Sequence, residues 1–165
     1  MENSKTPTQS AVETRYLVMP HQANPAGTVF GGVIVSWIDM IASMAAQKHC
    51  GKPVVTASID SINFRKPINI GDHAILKAAV NYVGRTSMEV GVKVIKENPA
   101  TAQQDVATTA HLTFVGLDEN NKPFPAPKLI PETEEEKKRY KNAMLRVKTR
   151  KELLQKLKAN AIVNE

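Results

Sequence analysis

Cysteine is almost absent. Cys50 is the only thiol, so the chain can form no internal disulfide and can assemble no thiolate zinc cluster. Cys50 also follows a helical pattern in a polar stretch, which gives it no mark of a nucleophile. Long apolar runs are missing too. The most apolar stretch, residues 29–46, is broken by Ser36, Asp39 and Ser43, and no basic-then-apolar leader opens the chain. The expectation is a soluble, cytoplasmic protein with no membrane span. The histidines, His21, His49, His73 and His111, show no metal-ligand spacing. The chain likewise lacks a Gly-x-Ser-x-Gly nucleophile motif, a phosphate loop and a dinucleotide fingerprint. Metal and redox chemistry are disfavoured, and no metal site or resident cofactor is expected.

What is present is one core's worth of chain. A length of 165 residues supports a single domain and is short for two. The net charge of +6 is unevenly placed: from Lys137 to Lys158 ten Lys or Arg face only Glu152. The excess belongs to the tail, where a basic helix suits an anionic ligand, RNA or an acidic partner, or is a solvated face. Nucleic acid is not the expected partner of the protein as a whole.

Three segments follow from composition. Residues 1–13 are polar and predicted to be flexible, with regular structure expected from about Thr14. Residues 14–130 carry the domain. Thr14 to Met19 reads as a short strand stopped by Pro20, and the loop after it contains Asn24-Pro25 and Gly27. From Phe30 to Lys48 the pattern is helical, opened by Gly31-Gly32 and closed by Gly51. This helix is apolar nearly all round and is predicted to be buried. Ser36, Asp39, Ser43 and Gln47 make one narrow polar stripe along it. Four strand-like runs follow, residues 54–64, 74–82, 88–94 and 106–114, the first with a bulge near Asp60-Ser61. Short turns join them, which favours an antiparallel sheet. A long apolar helix followed by such a sheet predicts an α+β domain in which the sheet curls around the helix, the hotdog fold. Residues 131–165 form a basic helical tail, started by a Thr133–Glu136 capping box, with a second helical segment from Leu145 to Leu157.

Asp39 is the residue that most requires an explanation. A carboxylate on a buried helix costs several kcal/mol, roughly, unless it is paired, hydrogen-bonded or facing a wet cleft. It is either satisfied by Ser43 or a backbone donor, or it is a general base or nucleophile. Asn24, in the loop before the helix, offers an amide that can orient water or hold an oxyanion, or can simply form a turn. Gly31 and Gly32 leave the first backbone N–H groups of the helix open to a substrate carbonyl, where the helix dipole favours developing negative charge.

Four blocks then become specific: Asn24 to Asp39 (NPAGTVFGGVIVSWID), Thr56 to Pro67 (TASIDSINFRKP), Gly84 to Val90 (GRTSMEV) and Thr109 to Val115 (TAHLTFV). In this order they resemble the acyl-CoA thioesterases of the hotdog superfamily. The resemblance implies hydrolysis of fatty acyl-CoA to fatty acid and coenzyme A. It implies that Asp39 and Asn24 are catalytic and meet across a dimer interface, and that Gly32 at the helix start receives the thioester carbonyl. It implies that Gly84, Arg85, Thr86 and Ser87 contact coenzyme A, with Arg85 toward phosphate; Arg65 is a further candidate for the same contact. Coenzyme A is then substrate and product, not cofactor, and a trimer of dimers is the implied assembly. Within the same fold, an acyl-CoA hydratase or dehydratase or a non-catalytic acyl-CoA-binding protein is the alternative. Chain length of the acyl group, nucleotide regulation and the role of the tail do not follow from these residues.

Overall fold

The computed structural model describes residues 4–162, and side chains as far as residue 160. It divides into two compact units, residues 1–130 and 131–165. In the first, the order is β1 (Ser4–Lys5), α1 (Pro7–Ser10), β2 (Val12–Leu17), a 3-10 turn (Pro20–Gln22), α2 (Gly31–Cys50), β3 (Val54–Phe64), β4 (His73–Val83), β5 (Ser87–Glu97), β6 (Gln104–Leu117), β7 (Pro123–Phe124) and β8 (Lys128–Leu129). The main sheet is antiparallel in the order β2-β4-β5-β6-β3, with β7 on the end of β6. A separate parallel pair joins β1 to β8.

β2 and β3 are neighbours in sequence but lie on opposite edges of the sheet, so α2, which connects them, must cross its whole width. It packs against all five long strands. Ile34, Trp37, Ile38, Ile41, Ala42 and Ala45 face the sheet, against Leu76, Val80, Val90, Leu112 and Phe114 from the core-facing rows of β4, β5 and β6. Trp37 stacks on Tyr16 of β2 with ring centroids 4.7 Å apart, a pairing worth about 1 kcal/mol beyond its area. α2 ends at Gly51, which takes the left-handed conformation at φ 70° that a residue with a Cβ resists. This is the hotdog arrangement.

Three details differ from the sequence reading. The chain takes up regular structure before Thr14: Thr6 and Gln9 cap a single turn with reciprocal hydrogen bonds, and Pro7 occupies its first position. α2 is not buried all round, because the sheet covers one side only; Met40 is 48% and Met44 52% exposed. In the tail, one helix, α3 (Glu134–Ile162), runs without the expected second start, there being no Gly or Pro within it to break it. Its first turn is capped as expected, with Thr133 Oγ1 accepting from Glu136 N and Glu136 Oε2 accepting from Thr133 N. The expected bulge in β3 is present. The register slips between Ile59 and Ser61, leaving Asp60 as the extra residue, and a second slip falls between Thr56 and Ser58. Ser58 and Thr113 both donate to the Asp60 carboxylate.

Candidate active site

Asp39 lies two turns into α2 and is half-buried. Its Oδ1 accepts a hydrogen bond from Thr56 Oγ1 at 2.8 Å, and among the described residues no hydrogen bond holds the other oxygen. Neither Ser43 nor a backbone donor satisfies it; Ser43 Oγ donates instead to the Met40 carbonyl at 2.8 Å, within the helix. Thr56 sits on β3, the edge strand that runs beside α2, so helix and edge strand fix the carboxylate from two directions. One oxygen is anchored and one is left open, as a group that must accept a proton or attack a carbon requires.

Asn24 occupies a tight loop ahead of α2. Its Oδ1 accepts from Ala26 N at 2.9 Å and Thr28 N at 3.3 Å, and its Nδ2 donates to Thr28 Oγ1 at 2.9 Å. Gly27, at φ 77°, lets the loop turn back so that Asn24 N donates to Thr28 O. The side chain is held rigidly by its own loop, and within one protomer Asn24 and Asp39 share no hydrogen bond.

Gly31 and Gly32 open α2 as expected, and two exposed aromatic rings flank them. A Cβ on Gly31 would lie 3.7 Å from the Phe64 ring, and one on Gly32 would lie 2.6 Å from the Phe30 ring. Gly32 is, however, far from Asp39 on the same helix: seven residues at 1.5 Å each separate them by about 10 Å along the axis. A thioester carbonyl held at the Gly32 N–H cannot also be within hydrogen-bond reach of the Asp39 carboxylate of that protomer.

The remaining candidates divide in the same way. Gly84, Arg85, Thr86 and Ser87 make the β4–β5 turn, closed by Gly84 N donating to Ser87 O at 2.8 Å, with the Arg85 side chain exposed. Ser87 is level with Val115 of β6, and Thr56 is level with the adjacent Phe114, so this turn is at the Asp39 end of the sheet. Arg65 is at the other end. Its N–H donates to Ala107 O near the start of β6, eight residues and on the order of 25 Å from Val115 along the strand. Its neighbour Lys66 is engaged by Asp105 at 2.6 Å, which holds that carboxyl below its usual range. One protomer therefore carries the candidate residues in two separate groups. Asn24, Gly31-Gly32 and Arg65 lie at one end, and Asp39, Thr56 and the Gly84–Ser87 turn at the other.

The other titratable candidates belong to packing. His49 is fully buried at the end of α2. Its Nε2 lies 2.9 Å from the Pro127 carbonyl, which can only accept, so Nε2 carries the proton and Nδ1 accepts from Ser10 Oγ at 3.3 Å. Burial pushes this ring below its ordinary value of 6.5. Burial likewise pushes the Cys50 thiol up, away from a nucleophilic thiolate. His111 Nδ1 meets Ser61 Oγ at 3.3 Å and His73 Nδ1 meets Glu97 at 3.2 Å, both on the sheet away from Asp39. No cluster of His, Cys, Asp and Glu able to hold a metal occurs among the described residues.

Thr56 is the member of the candidate site that sequence reasoning passes over. It stands first in one of the four specific blocks, but its contact with Asp39 joins two elements 17 residues apart and has no local signature.

Comparison with known proteins bears on the same residues. The thioesterase superfamily matches residues 26–103. The uncharacterized acyl-CoA thioester hydrolase YkhA of Bacillus subtilis is 47% identical over 143 residues, 87% of this chain and 83% of its own. An apo-hexameric acyl-CoA thioesterase superposes with a TM-score of 0.89 at 42% identity, covering 92% of this chain and 97% of its own. An acyl-CoA hydrolase of Staphylococcus aureus, solved with butyryl coenzyme A, coenzyme A and coenzyme A disulfide, gives 0.89 at 39% identity, covering 95% and 96%. Structures of that hydrolase also include alanine variants of an aspartate, an asparagine and a threonine.

Proposed function

Because the chain belongs to the acyl-CoA thioester hydrolases of the thioesterase superfamily, we propose that it hydrolyses fatty acyl-CoA at a site completed by two subunits, one giving Asp39 and the other Asn24. The separation of the two groups within one protomer carries this reading. β3 supports it further. Among the described residues its outer edge has no partner strand, and Val55, Ile59 and Phe64 on it are exposed together with Met40 and Met44 of α2. A long open edge beside an apolar surface is a template for pairing. Antiparallel pairing of two β3 strands about their midpoint, Ile59, sets the Phe64 end of one against the Val54 end of the other. The Asn24, Gly32 and Arg65 group of one subunit then meets the Asp39, Thr56 and Arg85 group of its partner. Spacing agrees as well: in the S. aureus hydrolase the altered asparagine precedes the aspartate by 15 residues and the threonine follows it by 17, as Asn24, Asp39 and Thr56 do here.

In the reaction the carbonyl oxygen is received at the N-terminus of α2, where the Gly32 N–H and helix dipole stabilise the charge that develops on it. Asn24, held by its loop, orients the water or the carbonyl. The open oxygen of Asp39 either takes a proton from water as it adds to the carbonyl carbon, or attacks that carbon to give a mixed anhydride that water opens. On either route the carbon–sulfur bond breaks, the coenzyme A thiolate leaves and takes up a proton, and the acid remains. Arg85, and Arg65 of the opposite subunit, suit the phosphates of coenzyme A. No resident cofactor or metal enters the reaction. The dimer is the unit of activity, three such dimers make the assembly, and the protein works in the cytoplasm; the hexameric relative supports the second point. No helix of the described residues is long and apolar enough to cross a membrane.

Free thiol released from acyl-CoA substrates from acetyl to palmitoyl tests the reading. Chain-length-dependent release by the wild type is expected, falling by about three orders of magnitude in Asp39→Ala without loss of folding. Near-normal release by the variant would remove Asp39 from the mechanism.

A further inference from the structure

The second half of α3 leaves an apolar stripe uncovered. Leu153, Leu154 and Leu157 are 55%, 50% and 55% exposed, and at 3.6 residues per turn they occupy an arc of about 100°. Charge is sorted around that arc. Lys151 and Lys158 border one side and Lys156 the other, Arg150 stands on the arc itself one turn before the leucines and bounds the stripe at that end, and Glu152, the one acid of this part of the helix, projects from the opposite face. Leucines flanked by cations whose long stems can lie along the apolar boundary and carry the charge outward are the pattern of a helix lying in a lipid–water interface.

We propose that the C-terminal part of α3 docks on an anionic lipid surface, with the leucine stripe in the headgroup–acyl boundary and the lysines on the headgroup phosphates. Charge decides between the occupants. A second copy of the stripe brings like charge against like. Residues 1–130 hold 12 Lys or Arg and 10 Asp or Glu, so the rest of the chain has no acidic excess to receive the tail. RNA would answer the lysines but not three exposed leucines. An anionic bilayer answers both. A few leucines per helix give weak attachment, but an assembly that presents several tails to one surface multiplies it. This inference does not depend on the reaction at Asp39.

Flotation of the intact protein with vesicles is the test. Phosphatidylcholine vesicles containing phosphatidylglycerol should carry the wild type upward, with at least about tenfold less carried by phosphatidylcholine alone. The triple variant Leu153→Gln, Leu154→Gln, Leu157→Gln should lose that binding while keeping its helix content by circular dichroism and its thiol release from a short, water-soluble acyl-CoA. Lys151→Glu, Lys156→Glu, Lys158→Glu, which leaves the leucines in place, should lose it as well. Wild type that stays at the bottom with anionic vesicles overturns the proposal. Equal flotation of the leucine variant does too, since ionic adhesion alone would then account for binding. A leucine variant of smaller assembly size, with no vesicle binding by the wild type, would assign the stripe to contact between copies instead.

Discussion

A carboxylate with one oxygen tied and one free is the smallest unit of this site. Thr56 Oγ1 fixes the rotamer of Asp39 from the edge strand, and a hydrogen bond to a charged acceptor is worth about 1.5–3 kcal/mol. Thr56→Val keeps the branched shape and removes the donor. We expect kcat to fall about 10- to 100-fold with KM little changed, measured by thiol release; an unchanged kcat would leave Thr56 a role in β3 alone. His49 makes a different kind of prediction. Its ring is neutral when folded and burial depresses its pKa, so above about pH 6.5 neither the folded nor the unfolded chain protonates it. Below that, the unfolded chain takes up the proton first, and stability is lost as the pH falls. The melting temperature should therefore drop more steeply from pH 7 toward pH 5 in the wild type than in His49→Gln. Equal slopes would show that another group controls the acid limb.

Elements explain what the sequence shows and what it conceals. α2 is legible because its start and stop, Gly31-Gly32 and Gly51, are local signals, and the alternation in β4, β5 and β6 is a local periodicity. The N-terminal turn carried a signal of the same kind in Thr6-Pro7-Thr8-Gln9, a capping box with proline at the first helical position, but it is one turn long and polar around it. The open face of α2 is another matter. Apolar residues on all sides of a helix say that it is covered, not whether its own chain or another copy covers it, so Met40 and Met44 read as core from sequence and stand exposed in the protomer. Close packing at the other end of α2 gives a test at this scale. A Cβ on Gly116 of β6 would come within 2.5 Å of Cys50 Sγ, and both residues are buried. Gly116→Ala should cost about 1–3 kcal/mol by denaturant unfolding. The cost should be smaller in a Cys50→Ala background, where the sulfur is gone; the same cost in both backgrounds would refute this contact as its source.

At the scale of the whole molecule, the proposed site is a relation between two copies. The residues were legible singly: Asn24 and Asp39 stand in one block, and the glycines between them mark a helix start. Their partnership across an interface came only from the family resemblance, because spacing along a helix says where Asp39 lies relative to its own Gly32, about 10 Å away, and nothing about a neighbour's. Strand order leaves β3 at an edge of the sheet, and the 11-residue length of β3 sets the Phe64–Arg65 end apart from the Thr56–Asp39 end.

Mixing two inactive proteins tests this most directly. Asn24→Ala and Asp39→Ala, each nearly inactive alone, are co-expressed or exchanged as subunits and assayed for thiol release. A mixed dimer has one site with both wild-type residues and one with neither, so random pairing should restore about a quarter of wild-type activity. Activity no greater than the average of the two parents, in samples where mixed assemblies are demonstrated, would mean that Asn24 and Asp39 serve the same site from one chain.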